Sequence, residues 1–90
     1  MSSLDIRRWR KRPVEIQAVQ FDGTMKQGEQ IAEWSHGKAT PEFNGGEVVL
    51  HVETLNGLTT AYSSDYIIRG PQGDFYPSTA GVFNTNNEAL

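Results

Sequence analysis

At 90 residues the chain has room for one hydrophobic core and no second domain. Apolar residues make up 37% of it, so the core is lean and nine aromatic side chains must supply much of the buried area. It has no cysteine, which excludes disulfides, thiolate metal sites and a cysteine nucleophile, and which fits a reducing compartment.

No apolar run approaches the roughly 20 residues of a membrane span, and no apolar stretch follows the basic N-terminal residues as a secretory signal requires. The sequence therefore predicts a cytoplasmic protein with no membrane partner. The net charge of -3 hides an asymmetry. Residues 1–13 hold Arg7, Arg8, Arg10, Lys11 and Arg12 against Asp5 alone, a net +4. The other 77 residues hold Lys26, Lys38 and Arg69 against ten acids, a net -7.

Residues 1–12 are predicted to form a basic arm, either a frayed tail or a strand-like segment anchored by Trp9. Residues 13–90 form the single β-rich domain. Pro13 suits the first position of a strand, and Val14 to Ala18 alternates as a half-buried strand does. The apolar phase then shifts at Val19 and Phe21, through a bulge near Ala18 or burial on both faces. Asp22-Gly23 is a turn. Thr24 with Gln27 three residues later matches a capping box, so one short helix begins near Met25, with Ile31 and Trp34 on its buried face and Gly37 as its stop.

From Thr40 onward every signal is β. Pro41 to Asn44 reads as a short edge strand, Gly45-Gly46 as a turn, and Glu47 to Thr54 as an alternating strand. Asn56-Gly57 is the strongest short hairpin signal, with Leu58 to Tyr62 returning. Ser63-Ser64-Asp65 is a turn before a strand from Tyr66 to Arg69. Gly70-Pro71-Gln72-Gly73 fits a type I turn, and Asp74 to Tyr76 pairs back. Pro77 to Phe83 is expected to be a turn or a single helical turn, and the polar Asn84 to Leu90 to fray.

The expected fold is thus α+β: a small antiparallel sheet or partly open barrel of about five to six hairpin-linked strands with one short helix.

Catalytic chemistry finds little footing. His36 is expected beside a helix end and His51 within a strand, with no spacing that suggests a zinc site, so neither metal nor cofactor is expected. Ser63-Ser64-Asp65 has neither a nucleophile elbow nor a local base. Asp65 and Asp74 are both ordinary turn residues. The sequence predicts a protein that is not an enzyme.

Arg69 is the only arginine after position 12. It ends a strand beside Tyr66 and faces the returning Phe75-Tyr76, where a guanidinium can hold a phosphate while a ring stacks on a base. The plainer reading pairs Arg69 with Asp74 across the hairpin. Arg69, Tyr66, Tyr76, Asp74 and Trp34 form the expected site for a small anionic or nucleotide ligand. Arg7, Arg8, Trp9, Arg10, Lys11 and Arg12 form a candidate interaction arm, expected to cross to the acidic body of a neighbouring subunit. Specific nucleic-acid binding is not expected, because the acidic body opposes the arm. The lean core and open strand edges predict a homo-oligomer, most simply a dimer.

Two stretches carry a resemblance. Residues 10–23, from Arg10-Lys11-Arg12-Pro13-Val14 to Phe21-Asp22-Gly23, are similar to the opening of many short proteins encoded by bacteriophages. Asp65-Tyr66-Ile67-Ile68-Arg69-Gly70 followed by Gly73-Asp74-Phe75-Tyr76-Pro77 resembles a later signature of the same group. Departures occur at Ser63-Ser64, where members usually have Pro-Gly, and at Ser78 to Gly81, where they have Cys-Lys-Pro-Asp. A third falls at Thr85-Asn86-Asn87, so a last strand is not expected. The resemblance implies a phage origin, hence the host cytoplasm, and no settled activity. Two functions follow as expectations. One is a non-enzymatic, oligomeric sponge for a nucleotide-derived signal of host immunity, an anti-defence role. The other is an interaction module that docks on a host or phage protein through the arm or a strand edge.

Overall fold

The computed structural model describes residues 4–11 and 14–89. The expected strand start at Pro13 and the end of the arm at Arg12 lie outside the described residues. In chain order the elements are β1 (Arg7–Lys11), β2 (Val14–Gln20), α1 (Met25–Trp34), β3 (Ala39–Asn44), β4 (Glu47–Thr54), β5 (Gly57–Ala61), β6 (Tyr66–Arg69), β7 (Phe75–Ser78), α2 (Ala80–Asn86) and β8 (Glu88–Ala89). They make two antiparallel sheets, β7-β6-β2-β1-β8 and β3-β4-β5. The α+β class stands, but the described strands number eight rather than five to six, the helices two rather than one, and the sheets are separate and close no barrel.

β2 is the centre of the larger sheet, and its apolar pattern explains the layering. Its pairing with β1 runs unbroken from Lys11↔Val14 to Arg7↔Ala18, and with β6 from Gln17↔Arg69 to Gln20↔Tyr66. The phase shift at Val19 is therefore two-sided burial, with no bulge. Val19 and Phe21 face a core shared with Ile31 of α1, with Ala39, Leu50, Val52 and Ala61 of the smaller sheet, and with Ile67 and Phe75. Ile16 and Ala18 face the other way, where Ile68 and Phe83 of α2 meet them and Trp9, Tyr66 and Tyr76 close the margin. The order of layers is α2, five-stranded sheet, then α1 with the three-stranded sheet.

Local chemistry sets most of the connections. Gly45 and Gly46 take φ of 62° and 97°, the pair of left-handed residues that a two-residue type I′ hairpin between Asn44 and Glu47 needs. In the next hairpin Thr54 pairs with Gly57, so the turn centres on Leu55-Asn56, one residue before the expected Asn56-Gly57. Gly73 N–H donates to Gly70 O at 3.0 Å, closing the turn expected over Gly70 to Gly73.

The helix start departs from a reciprocal capping box. Gln27 N–H donates to Thr24 Oγ1, but the Gln27 side chain reaches past Thr24, accepting from Asp22 N and donating to Gln20 O. The first turn of α1 is thereby tied to the end of β2. At the other end His36 holds the left-handed position (φ 55°) ahead of Gly37, whose N–H donates to Ala32 O while His36 N–H donates to Glu33 O. Gly28 is where α1 touches β3, since a Cβ there would sit 2.6 Å from Pro41 Cβ.

Two expectations are corrected at the chain ends. Arg7–Lys11 is an internal strand, paired to β2 on one side and β8 on the other, so it is not free to cross to a neighbouring subunit. The C-terminal residues do not all fray. Thr79 caps α2 through Val82 N, and Glu88–Ala89 pair with Arg10 and Trp9. Helix α2 is poor in helix formers, and what holds it is Phe83, 1% exposed against the sheet. Phe83→Ala is expected to cost ~3–5 kcal/mol in urea unfolding. The neighbouring exposed Val82→Ala is expected to stay within about 0.5 kcal/mol. Trp9 fluorescence should report the first change, because the Trp9 and Phe83 rings lie 4.6 Å apart.

Candidate functional site

Along β1 and the residues before it, side chains alternate between the two faces. Leu4 and Ile6 turn to the core under the three-stranded sheet, which leaves Asp5, Arg7 and Trp9 on the α2 face. The register with β2 sets Arg7 opposite Ala18 and Trp9 opposite Ile16, and the register with β6 sets Gln20 opposite Tyr66. Ala18 contributes only a methyl group. The sheet therefore has a hollow of about 390 Å³ there, lined by Asp5, Arg7, Trp9, Ala18, Gln20 and Tyr66.

The walls of this hollow are held by the aromatic contacts beneath α2. The Tyr66 and Phe83 rings stack at 4.1 Å and 14°, and Trp9 stands edge-on to both, 5.9 Å from Tyr66 at 75° and 4.6 Å from Phe83 at 72°. Arg7 stands at the mouth with its side chain 64% exposed. Both Asp5 oxygens accept from Nε, at 3.1 and 3.2 Å, and neither takes a hydrogen bond from the terminal amino groups. Hydrogen bonding to Asp5, then the Asp5 charge, raises the Arg7 pKa above its usual value, so the guanidinium stays charged. Gln20 donates from Nε2 to Ser64 O at 2.9 Å, leaving its amide oxygen as an acceptor. The hollow thus offers a cation, aromatic surface and one amide acceptor.

The residues expected from the sequence fall on two sides of the sheet. Tyr66 lines the hollow, and Tyr76 belongs to the same α2 face. Arg69 pairs with Phe75 on the opposite face, its guanidinium carbon 5.9 Å from the Phe75 ring centroid, where Trp34 also stands edge-on at 5.3 Å. Arg69 and the two tyrosines are therefore not one cluster. The plainer reading is not realised either, since Arg69 makes no ion pair with Asp74 among the described residues. Asp74 instead lies over Gly70, where an added Cβ would meet its Oδ1 at 2.6 Å. Of the arm, Arg7 and Trp9 enter the hollow, whereas Arg8 pairs with Glu15 on β2 at 3.2 Å. The side chains of Arg10, Lys11 and Arg12 lie outside the described residues.

Comparison with protein-family models, with curated proteins and with solved structures gives no match to this chain.

A second cleft, of about 430 Å³, lies between the β4–β5 and β6–β7 turns. Glu53 and Asp74 line it against Lys38, which already sits 3.9 Å from Glu53. Two carboxylates and one engaged amine make it a poor host for an anion. His51 pairs with Glu42 on the outer face of the smaller sheet, and His36 stands exposed at the end of α1. Among the described residues no three His, Asp or Glu side chains are grouped to hold a metal ion. Asp65 is a turn residue, its carboxylate accepting from Tyr62 N at 2.9 Å.

Asp5 and Gln20 escaped sequence reasoning. Asp5 was accessible to it, because Asp5, Arg7 and Trp9 recur at the two-residue period of one strand face. Gln20 was not, because only the pairing of β2 with β6 brings it to Tyr66.

Tyr76 supplies a spectroscopic check on this face. Burial, then the Asp74 charge, raises its pKa above the usual 10.0. A phenol with a raised folded pKa favours folding below its unfolded pKa and loses that contribution as pH rises through the folded value. Stability is therefore expected to begin falling near pH 10.0 and to fall less in Tyr76→Phe. Absorbance titration of phenolate should show a late-titrating component that is lost in that variant.

Proposed function

We propose that the protein binds a small anionic ligand bearing a planar ring, of the nucleotide class, in the Arg7–Trp9–Tyr66 hollow, and does no chemistry on it. The observation that carries this reading is a charged guanidinium, fixed by Asp5 through Nε alone, at the mouth of a hollow walled by aromatic rings. Among the described residues the terminal amino groups of Arg7 take no partner, and they suit a phosphate, while the indole and phenol suit a base. In the phage setting suggested by the Asp65–Gly70 and Gly73–Pro77 signature, the ligand is a nucleotide-derived signal of host immunity, sequestered in the host cytoplasm by an oligomeric sponge. Among the described residues no helix is long and apolar enough to cross a membrane. Specific nucleic-acid recognition is not part of this reading, since residues 14–90 carry a net charge of -7 that opposes a polyanion.

A thermal-shift screen with cyclic dinucleotides and cyclic ADP-ribose isomers tests the proposal. At a ligand concentration of 100 Kd, binding to the folded state adds about 2.7 kcal/mol of stability. Arg7→Ala is expected to leave the unliganded melting temperature nearly unchanged and to abolish the shift. Arg7→Lys should lose most of it, because an ammonium lacks the planar fork. Arg69→Ala, on the far face, should keep it. A shift lost in Arg69→Ala and retained in Arg7→Ala would move the site to the Trp34 side, and no shift across the panel would contradict ligand binding.

A further inference from the structure

The two sheets end in four edges, and three of them are guarded. β7 carries Pro77 and β3 carries Pro41, each without an N–H to offer, and β8 is only two residues long. The fourth, β5, reads Gly57-Leu58-Thr59-Thr60-Ala61, with no proline and no charge. β5 pairs with β4 on one side only. The uncharged run extends from Thr54 to Ser64, in a chain whose residues beyond the N-terminal bases are strongly acidic. Beside this edge stand exposed apolar side chains, Leu55 at 74%, Leu58 at 72% and Tyr62 at 52%. Natural sheets guard such edges with lysine, proline or a bulge unless the edge is used.

We propose that the free edge of β5 is the seat of a two-fold interface with a second copy of this chain. An antiparallel pairing of β5 with its own copy, centred on Thr59, sets Leu58 opposite the second copy's Thr60 and Gly57 opposite its Ala61. Leu58 and Thr60 share one face of the strand by the two-residue period, and the exposed Tyr62 follows directly after it. Each Leu58 therefore lies diagonal to the other copy's Leu58, and the two copies bury apolar side chains that a single chain leaves in water. The centre of the pairing brings no like charges together, although two copies of the acidic body would otherwise repel. The three-stranded sheet becomes a six-stranded one. A five-residue strand pair falls at the small end of interface sizes, below about 1,200 Å², so the dimer forms at micromolar concentration and dissociates on dilution. The inference is independent of the Arg7 hollow, which lies on the other sheet.

The absence of native cysteine makes the register testable on the whole protein. A single Thr59→Cys substitution is expected to give a disulfide-linked dimer under mild oxidation, because two-fold pairing sets residue 59 against itself within disulfide reach. Thr40→Cys, exposed on β3, is expected to stay monomeric. By light scattering across micromolar concentrations, wild type should approach twice the 10.0 kDa chain mass. Leu58→Lys should remain at the single-chain mass with an unchanged circular dichroism spectrum. Wild type that stays monomeric throughout, with Thr59→Cys crosslinking no more than Thr40→Cys, overturns the proposal. So does a dimer that survives Leu58→Lys, which would place the interface elsewhere. Monomeric wild type whose edge is capped only by another protein's strand would equally exclude the second copy as the occupant.

Discussion

Burial of β2 on both faces is the constraint from which the rest of the architecture follows. A strand with one wet face is content with a single layer behind it, but Ile16 and Ala18 on one side and Val19 and Phe21 on the other demand cover twice. In 90 residues that requirement consumes nearly everything available. The three-stranded sheet and α1 supply one cover, and a short, weakly helical segment with Phe83 at its middle supplies the other. A lean composition reaches a closed core in this way because the same central strand serves two interfaces, each square ångström of its apolar surface worth about 25 cal/mol once removed from water.

The polar groups that bind the layers together do so at the ends of elements. Gln27 spans from the first turn of α1 to Gln20 and Asp22, so the helix cannot leave the end of β2 without losing two hydrogen bonds. Ser35, fully buried, accepts from Ala39 N at 2.9 Å and so fixes the passage from α1 into β3. Phe21 continues the β2–β6 pairing past the strand, donating to Asp65 O and accepting from Ser64 N. These bonds satisfy backbone groups that would otherwise be stranded where the chain changes direction.

The thin second cover also creates the candidate site. Helix α2 spans seven residues and shields the sheet around Ile16, Ala18 and Ile68, but it does not extend over the stretch where Arg7, Gln20 and Tyr66 converge. Trp9 and Tyr66 stand at this boundary, each half in the core beside Phe83 and half in the hollow. Their rings are thus oriented by folding before any ligand arrives, which lowers the ordering cost of binding. Of the arm's charges, Arg8 meets the acidic body at Glu15 on the adjacent strand, whereas Arg7 pairs with Asp5 within the arm.

What the sequence by itself determined is whatever short-range chemistry controls. The Gly45-Gly46 and Gly70–Gly73 turns and the Thr24 start of α1 appear where their residues imply, because a backbone angle or one neighbouring hydrogen bond is enough to specify them, and β4 forms over Glu47–Thr54 although Val49 is buried on its other face. The reading failed where stabilisation is distant. Helix α2 has only the Thr79 cap and no strong helix formers, and β8 lacks any alternation; Phe83 and pairing to β1 on the side away from β2 hold them. Tyr66 and Arg69, three residues apart in one strand, looked like partners, yet the two-residue period of a strand sends them to opposite faces. Only the pairing of β2 with β6 decided that Gln20 meets Tyr66 beside the β1 side chains, since that register is set by core packing between segments about fifty residues apart and no local preference encodes it.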